Sequence, residues 1–266
     1  MIRRAYIKGL ILVVTLLLAT PGCIALLDGY SQSRSVKEPS AADQAQVLIN
    51  LSTAFLMQGE YTKALPELLK ARELTPKNTA VHNYLGLSYY GMKEYALAIE
   101  SFQRALAINP NRTDVHNNLG LVYLAQKYFD LALAEFNLCL KDPNYQKKQI
   151  PLSNIGLVYL ELGQYDEAMQ ALTRATEVAP DYPKSYQFIG RVHLDQGNYG
   201  LALDYMGNAA HLDPNDAETF MLLGEVYLKL NKPEEAAQAY NRAAALVPNT
   251  QMALEAQKRV HQVMGF

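Results

Sequence analysis

Residues 84–105 read YLGLSYYGMKEYALAIESFQRA, and residues 118–139 read NLGLVYLAQKYFDLALAEFNLC. The second stretch repeats the skeleton of the first 34 positions later, and the skeleton extends along the chain. Gly86, Gly120, Gly156, Gly190 and Gly224 each follow an aliphatic residue and precede, by three positions, Tyr89, Tyr123, Tyr159, His193 and Tyr227. Twelve residues beyond each glycine stand Ala98, Ala132, Ala168, Ala202 and Ala236, then Phe102, Phe136, Leu172, Met206 and Tyr240, then Ala105, Cys139, Ala175, Ala209 and Ala243. Pro110, Pro180, Pro214 and Pro248 close four units, and Leu51, Ser52, Phe55, Ala64, Leu68, Ala71 and Pro76 form an earlier copy, six in all. A fixed period of this length marks a stacked-repeat architecture.

Within each unit the apolar residues recur at three and four, so each unit is predicted to be two amphipathic helices, with Gly and Ala where their backbones approach. Gly59-Glu60-Tyr61, Lys93-Glu94-Tyr95, Gly163-Gln164-Tyr165 and Gly197-Asn198-Tyr199 mark the turns between helices. Each closing proline ends its unit because it cannot continue a helix interior. One such pair cannot bury its apolar face alone, so the units must stack. The boundaries fall at about 45–78, 79–112, 113–148, 149–182, 183–216 and 217–250 within 44–248, with residues 249–266 as a capping helix through Leu254, Val260 and Val263.

These residues resemble the tetratricopeptide repeat, over about residues 45–248. The resemblance implies an all-α, right-handed superhelical solenoid of six helix-turn-helix repeats plus the capping helix. It also implies a protein or peptide ligand on a concave face lined by the first helix of each repeat. By register that face carries Asn83, Asn117, Ser153 and Gln187 in one row, Leu87, Leu121, Leu157 and Arg191 in the next, and Tyr90, Leu124, Leu160 and Leu194 in a third. Amides beside an apolar stripe suit an extended peptide, the amides orienting its backbone and Leu and Tyr receiving its side chains. The alternative is that the leucines only pack between neighbouring first helices. The basic clamp that grips the acidic tails of cytosolic chaperones is not in place, since Ile49, Thr53 and Ile150 occupy its positions.

Composition narrows the function. The chain has 266 residues, is 50% hydrophobic and 19% charged, and carries a formal charge of −2 with no basic tract, so a phosphate-tracking nucleic-acid binder has little support. The tyrosines are assigned to packing. Without a Gly-rich phosphate loop, a Gly-x-Ser-x-Gly or a His-Glu-x-x-His, the expectation is a protein without enzymatic activity, small-molecule substrate, metal or cofactor. His82 and His116 are read as wedges between helices, and His193 and Cys139 as core.

Residues 1–22 read as a secretory leader: Arg3, Arg4 and Lys8, then an apolar run from Leu10 to Ala19, then Thr20-Pro21-Gly22 before Cys23. About ten residues is well short of the roughly 20 needed to span a bilayer. A small residue followed by cysteine resembles the lipobox of bacterial lipoproteins, which implies cleavage and acylation of Cys23; Thr20 and Pro21 depart from that pattern. An ordinary leader with an incidental cysteine and an uncleaved anchor are the alternatives. Ile24 rather than aspartate after Cys23 points to the outer membrane, with an inner-membrane or free periplasmic location as the other readings. Losing residues 1–22 removes three of 24 basic residues and none of 26 acidic ones, leaving a net charge of −5. Residues 23–43, with Gly29, Pro39 and several serines, are expected to be a flexible tether of root-mean-square span about 25 Å.

The link between the third and fourth repeats, residues 140–151, is two residues longer and carries Lys141, Lys147, Lys148 and Tyr145. It is either a partner-facing loop or a tolerated insertion. Six repeats after a lipobox, with an Asp-Pro-x-Tyr junction at 142–145, resemble the type IV pilus pilotin family, outer-membrane lipoproteins that help the pilus secretin reach the membrane and assemble. That resemblance implies a non-enzymatic, lipid-anchored scaffold for a secretin subunit on the periplasmic face. The competing reading is a general envelope adaptor recruiting peptidoglycan hydrolases or other enzymes.

Overall fold

The computed structural model describes residues 38–265; the leader, Cys23 and most of the tether lie outside them. The described residues form thirteen α-helices and no strand: α1 Ala41–Met57, α2 Tyr61–Leu74, α3 Thr79–Gly91, α4 Tyr95–Ile108, α5 Thr113–Ala125, α6 Phe129–Lys141, α7 Gln149–Glu161, α8 Tyr165–Val178, α9 Pro183–Asp195, α10 Tyr199–Leu212, α11 Ala217–Lys229, α12 Pro233–Leu246 and α13 Gln251–Met264. Odd-numbered helices α1 to α11 are the first helices of six pairs, even-numbered ones the second, and α13 is the cap. The tether gives way to helix at Ala41 rather than after Asp43, because Ser40 and Asp43 form a capping box: the Asp43 amide donates to Ser40 Oγ (3.2 Å) and the Ser40 amide to Asp43 Oδ2 (3.0 Å). The Ser40 hydroxyl, which donates to Asp43 Oδ2 at 2.7 Å, and then the Ser40 amide hold the Asp43 carboxyl below the usual carboxylate range.

Five of the six pairs, α3/α4 to α11/α12, close through one contact that only glycine permits; in the first pair the buried Ser52 stands at that position. A Cβ at Gly86 would lie 2.5 Å from the Phe102 ring, and one at Gly120 would lie 2.6 Å from the Phe136 ring. Both rings are fully buried, which is why the 34-residue pattern couples a glycine to a large residue 16 positions later. The turns between paired helices place one residue at positive φ in every repeat: Gly59, Lys93, Lys127, Gly163, Gly197 and Asn231. The amide after it reaches back five residues, as from Glu94 to the Tyr89 carbonyl (2.8 Å), and satisfies carbonyls the helix end would leave unpaired.

Successive pairs share apolar cores. Val115, Leu119 and Val122 of α5 pack with Ala98, Phe102 and Ala105 of α4, and the same union joins α2 to α3, α6 to α7, α8 to α9 and α10 to α11. Every such core joins a second helix to the next first helix, so stability runs through nearest neighbours. Cys139 takes its alanine position with its thiol against the Thr113 carbonyl (3.3 Å), and burial pushes that thiol up to about 12, which makes it inert.

The wedge residues tie the loop that closes one repeat to the first helix of the next. His82 Nε2 meets the Pro76 carbonyl at 2.8 Å, His116 Nε2 meets that of Pro110 at 2.9 Å, and the Tyr186 hydroxyl donates to Pro180 at 2.9 Å. Phe220, at the same position, has no polar atom; Arg242 lies over its ring at 5.7 Å and donates to the Pro214 carbonyl instead. Leu152 has neither a ring nor a proline six residues upstream, and it follows the irregular junction.

Candidate functional site

First helices of successive repeats touch one another along α3, α5, α7, α9 and α11, whereas successive second helices stand further apart. The first helices therefore line the inner face, as the register requires. Its outermost row behaves differently from expectation. Asn83, Asn117, Ser153 and Gln187 are all buried. Asn118 Nδ2 donates to Asn83 Oδ1 and Asn154 Nδ2 to Asn117 Oδ1, each at 3.0 Å, and Ser153 Oγ lies 2.8 Å from Ser185 Oγ. Gln187 Nε2 donates to Asp216 Oδ2 (3.2 Å) and its oxygen accepts from Lys184 Nζ (2.9 Å). The expectation that this row presents free amides to a peptide is corrected: buried polar groups must be paired, and here they are paired across the repeat boundary.

The apolar rows divide. Leu87, Tyr90, Leu121, Leu124 and Leu157 are half-buried, each seated at the margin of an inter-repeat core with one side left to solvent. Leu160 and Leu194 are buried, at 4% and 8% exposure, so Leu160 belongs to the core rather than to a binding surface. The stripe is thus both packing and surface. Burial raises the Tyr90 hydroxyl's pKa, helped by Tyr95 and Tyr61 nearby.

Beyond Leu157 the face becomes charged. Arg191 NH2 donates to Glu161 Oε1 at 2.8 Å, and Lys184 Nζ lies 3.2 Å from Asp216 Oδ2 and 2.9 Å from Glu218 Oε2. Burial works against the Lys184 charge, yet Glu218 and Asp216 outweigh it and its pKa is raised. Asp216 also accepts from Thr219 Oγ1. Lys184, Asp216, Glu218 and Thr219 escaped the sequence reading. Their signal is register: Lys184 and Glu218 occupy the same repeat position 34 residues apart. The inner face is therefore apolar over repeats two to four and ionic over five and six.

A cleft of about 560 Å³ away from this face is bounded by Pro110, Thr113, His116, Leu138, Asp142 and Pro143, beside the long junction. There Thr113 Oγ1 donates to Asp142 Oδ2 (2.6 Å), and that bond first, the Asn144 amide second, holds Asp142 below its ordinary value. Tyr145 turns inward, half-buried, with burial pushing its hydroxyl up to about 12. Lys141 and Lys147 remain exposed. Among the described residues no group of three His, Cys, Asp or Glu side chains is placed to hold a metal ion.

His116 Nδ1 lies 2.6 Å from Glu135 Oε2, and this hydrogen bond raises the imidazole pKa above 6.5 despite the opposing effect of burial. The raised folded-state pKa means that the pair's stabilisation is complete below 6.5 and fades as pH rises through the raised value. Expected is a loss of under about 1 kcal/mol between pH 6 and pH 9 that Glu135→Gln abolishes. Urea midpoints of both proteins across that range check it.

The matched Gly, Ala, aromatic and Pro positions fold as paired helices, and tetratricopeptide-repeat family profiles match residues 79–112, 113–141, 151–182 and 189–249. The chain is a tetratricopeptide-repeat protein. Such repeats serve as protein-interaction scaffolds, and no catalytic family matches. No curated protein matches in sequence. Among solved structures, this tetratricopeptide-repeat chain is similar to PilW, a widely conserved type IV pilus biogenesis factor, at 22% identity and TM-score 0.65, covering 80% of this chain and 98% of that one. It is similar also to pilF of Pseudomonas aeruginosa, at 22% identity and TM-score 0.62, covering 82% and 98%. A third likeness, to the Cut9–Hcn1 tetramer of the APC/C, has TM-score 0.67 and 18% identity but spans 43% of that chain. At these identities the likeness is one of fold.

Proposed function

We propose that the protein is a non-enzymatic, lipid-anchored scaffold of the periplasmic face of the outer membrane, which holds a segment of the type IV pilus secretin as a pilotin does. The observation that carries this reading is extent: PilW and pilF are matched over 98% of their own chains, with no domain left over on either. The half-buried apolar stripe of Leu87, Tyr90, Leu121, Leu124 and Leu157 supplies the contact surface, and the ionic groups around Lys184 and Arg191 set the direction in which a segment lies. An acyl anchor at Cys23 would raise the effective concentration of the captured subunit at the membrane.

Because Leu121 and Leu124 also support the core around Ile155 and Val158, replacing them by aspartate would confound binding with packing. A photo-reactive side chain at Leu121, used in cells with the captured protein identified by mass spectrometry, tests the reading directly. Crosslinking to the secretin is expected. An adduct with a peptidoglycan hydrolase would replace the pilotin by an envelope adaptor, and no adduct, with exposed control positions reacting, would remove the binding stripe.

A further inference from the structure

The two ends of the solenoid are finished differently. A stacked-repeat protein needs a polar outer face on each terminal unit, because the surface that interior units bury is otherwise left in water. At the C-terminal end α13 leaves Leu254, expected on its packing face, 60% exposed, but it breaks the pairing surface with charge. Lys258 stands where the repeats place the contact glycine and His261 where they place tyrosine, and both are exposed. At the N-terminal end α1 does not. Val47, Leu51 and Ala54 occupy the positions of Val81, Leu85 and Ser88 in α3 and of Val115, Leu119 and Val122 in α5. Those six are buried beneath the preceding second helix, whereas Val47 is 66% and Leu51 44% exposed, and Ala54 is exposed as well.

The unfinished face is continuous with an interface the molecule builds five times, and that interface defines what fits. Each covering helix presents a small, a large apolar and a small residue at i, i+4 and i+7: Ala64-Leu68-Ala71, Ala98-Phe102-Ala105, Ala132-Phe136-Cys139, Ala168-Leu172-Ala175, Ala202-Met206-Ala209. A second copy of this chain offers no such face, since these residues are already buried within it and the open side of α13 carries Lys258 and His261. The upstream residues 28–37 are mostly Gly, Ser, Gln and charged, a poor sequence for an apolar helix face. We propose that the outer face of α1 receives an amphipathic helix of a partner protein carrying that small–large–small pattern, packed on α1 as α2 packs on α3.

This surface is separate from the inner stripe, and a probe at Leu51 tests it without reference to one at Leu121. In the full-length protein in its own cells, a photo-reactive residue at Leu51 is expected to crosslink to another protein. The modified peptide, mapped by mass spectrometry, should lie in a segment with small, large apolar and small residues at i, i+4 and i+7. Adding Val47→Glu should cut the adduct by about tenfold or more, as expected for a central contact, while the thermal unfolding curve stays unchanged because Val47 is exposed. An adduct within the same chain, with a second copy, or on a segment without that pattern overturns the proposal. So does an adduct that survives Val47→Glu, or no adduct at all.

Discussion

Phe136→Ala is expected to lower the unfolding free energy by about 3–5 kcal/mol, the range for emptying a fully buried aromatic site. The ring has no exposure, lies against Gly120 within its own repeat, and joins Ala132 to Ile155 and Val158 of the next. Two contacts fail together, the closure of the third helix pair and its docking on the fourth, so collapse around the void is restrained from both sides. Gly120→Val should destabilise as well, by about 1–3 kcal/mol, since its Cβ must enter space the ring fills. The double variant should cost less than the sum, because valine occupies part of the emptied volume. Urea midpoints of the three proteins check the cycle; strict additivity would show that the glycine and the ring do not meet.

Asp216→Ala should cost about 2–3 kcal/mol, through the donors it strands rather than the charge it removes. Asp216 Oδ2 accepts from Lys184 Nζ, Gln187 Nε2 and Thr219 Oγ1, and both Gln187 and Thr219 are buried. With the acceptor gone, a buried amide and a buried hydroxyl lose their partner and Lys184 keeps only Glu218 as a carboxylate. Glu218→Ala removes a carboxylate from the same lysine at an exposed site and should change stability by under about 1 kcal/mol. Equal losses in the two variants, measured by denaturant unfolding, would show that Coulomb attraction rather than donor satisfaction holds the fifth repeat to the sixth.

The helical architecture was legible because a repeat writes its contacts at a fixed interval: the small residue at Gly120 and the large one at Phe136 have counterparts 16 positions apart in every unit, from Ser52 and Leu68 to Gly224 and Tyr240, and even the longer junction at 140–151 declared itself as a break in period. The inner face was legible in position but not in burial. Register places Asn83 and Asn117 on the right side of their helices, yet their pairing with Asn118 and Asn154 depends on how far neighbouring first helices close together, which spacing within one unit does not encode. Leu160 fails for the same reason. Lys184, Asp216 and Glu218 were missed because an ionic cluster across repeat boundaries resembles ordinary surface charge until the helices are stacked.

The asymmetry between α1 and α13 also bears on polymerisation. A stacking surface that is not matched by a complementary one at the other end cannot propagate, and the open side of α13, with Lys258 and His261 exposed, offers no small–large–small face to another α1. In polymer terms the molecule is a chain stopper, able to end a stack of helices begun by something else but not to extend one of its own kind. By this surface alone, high local density of the protein does not draw it into fibres.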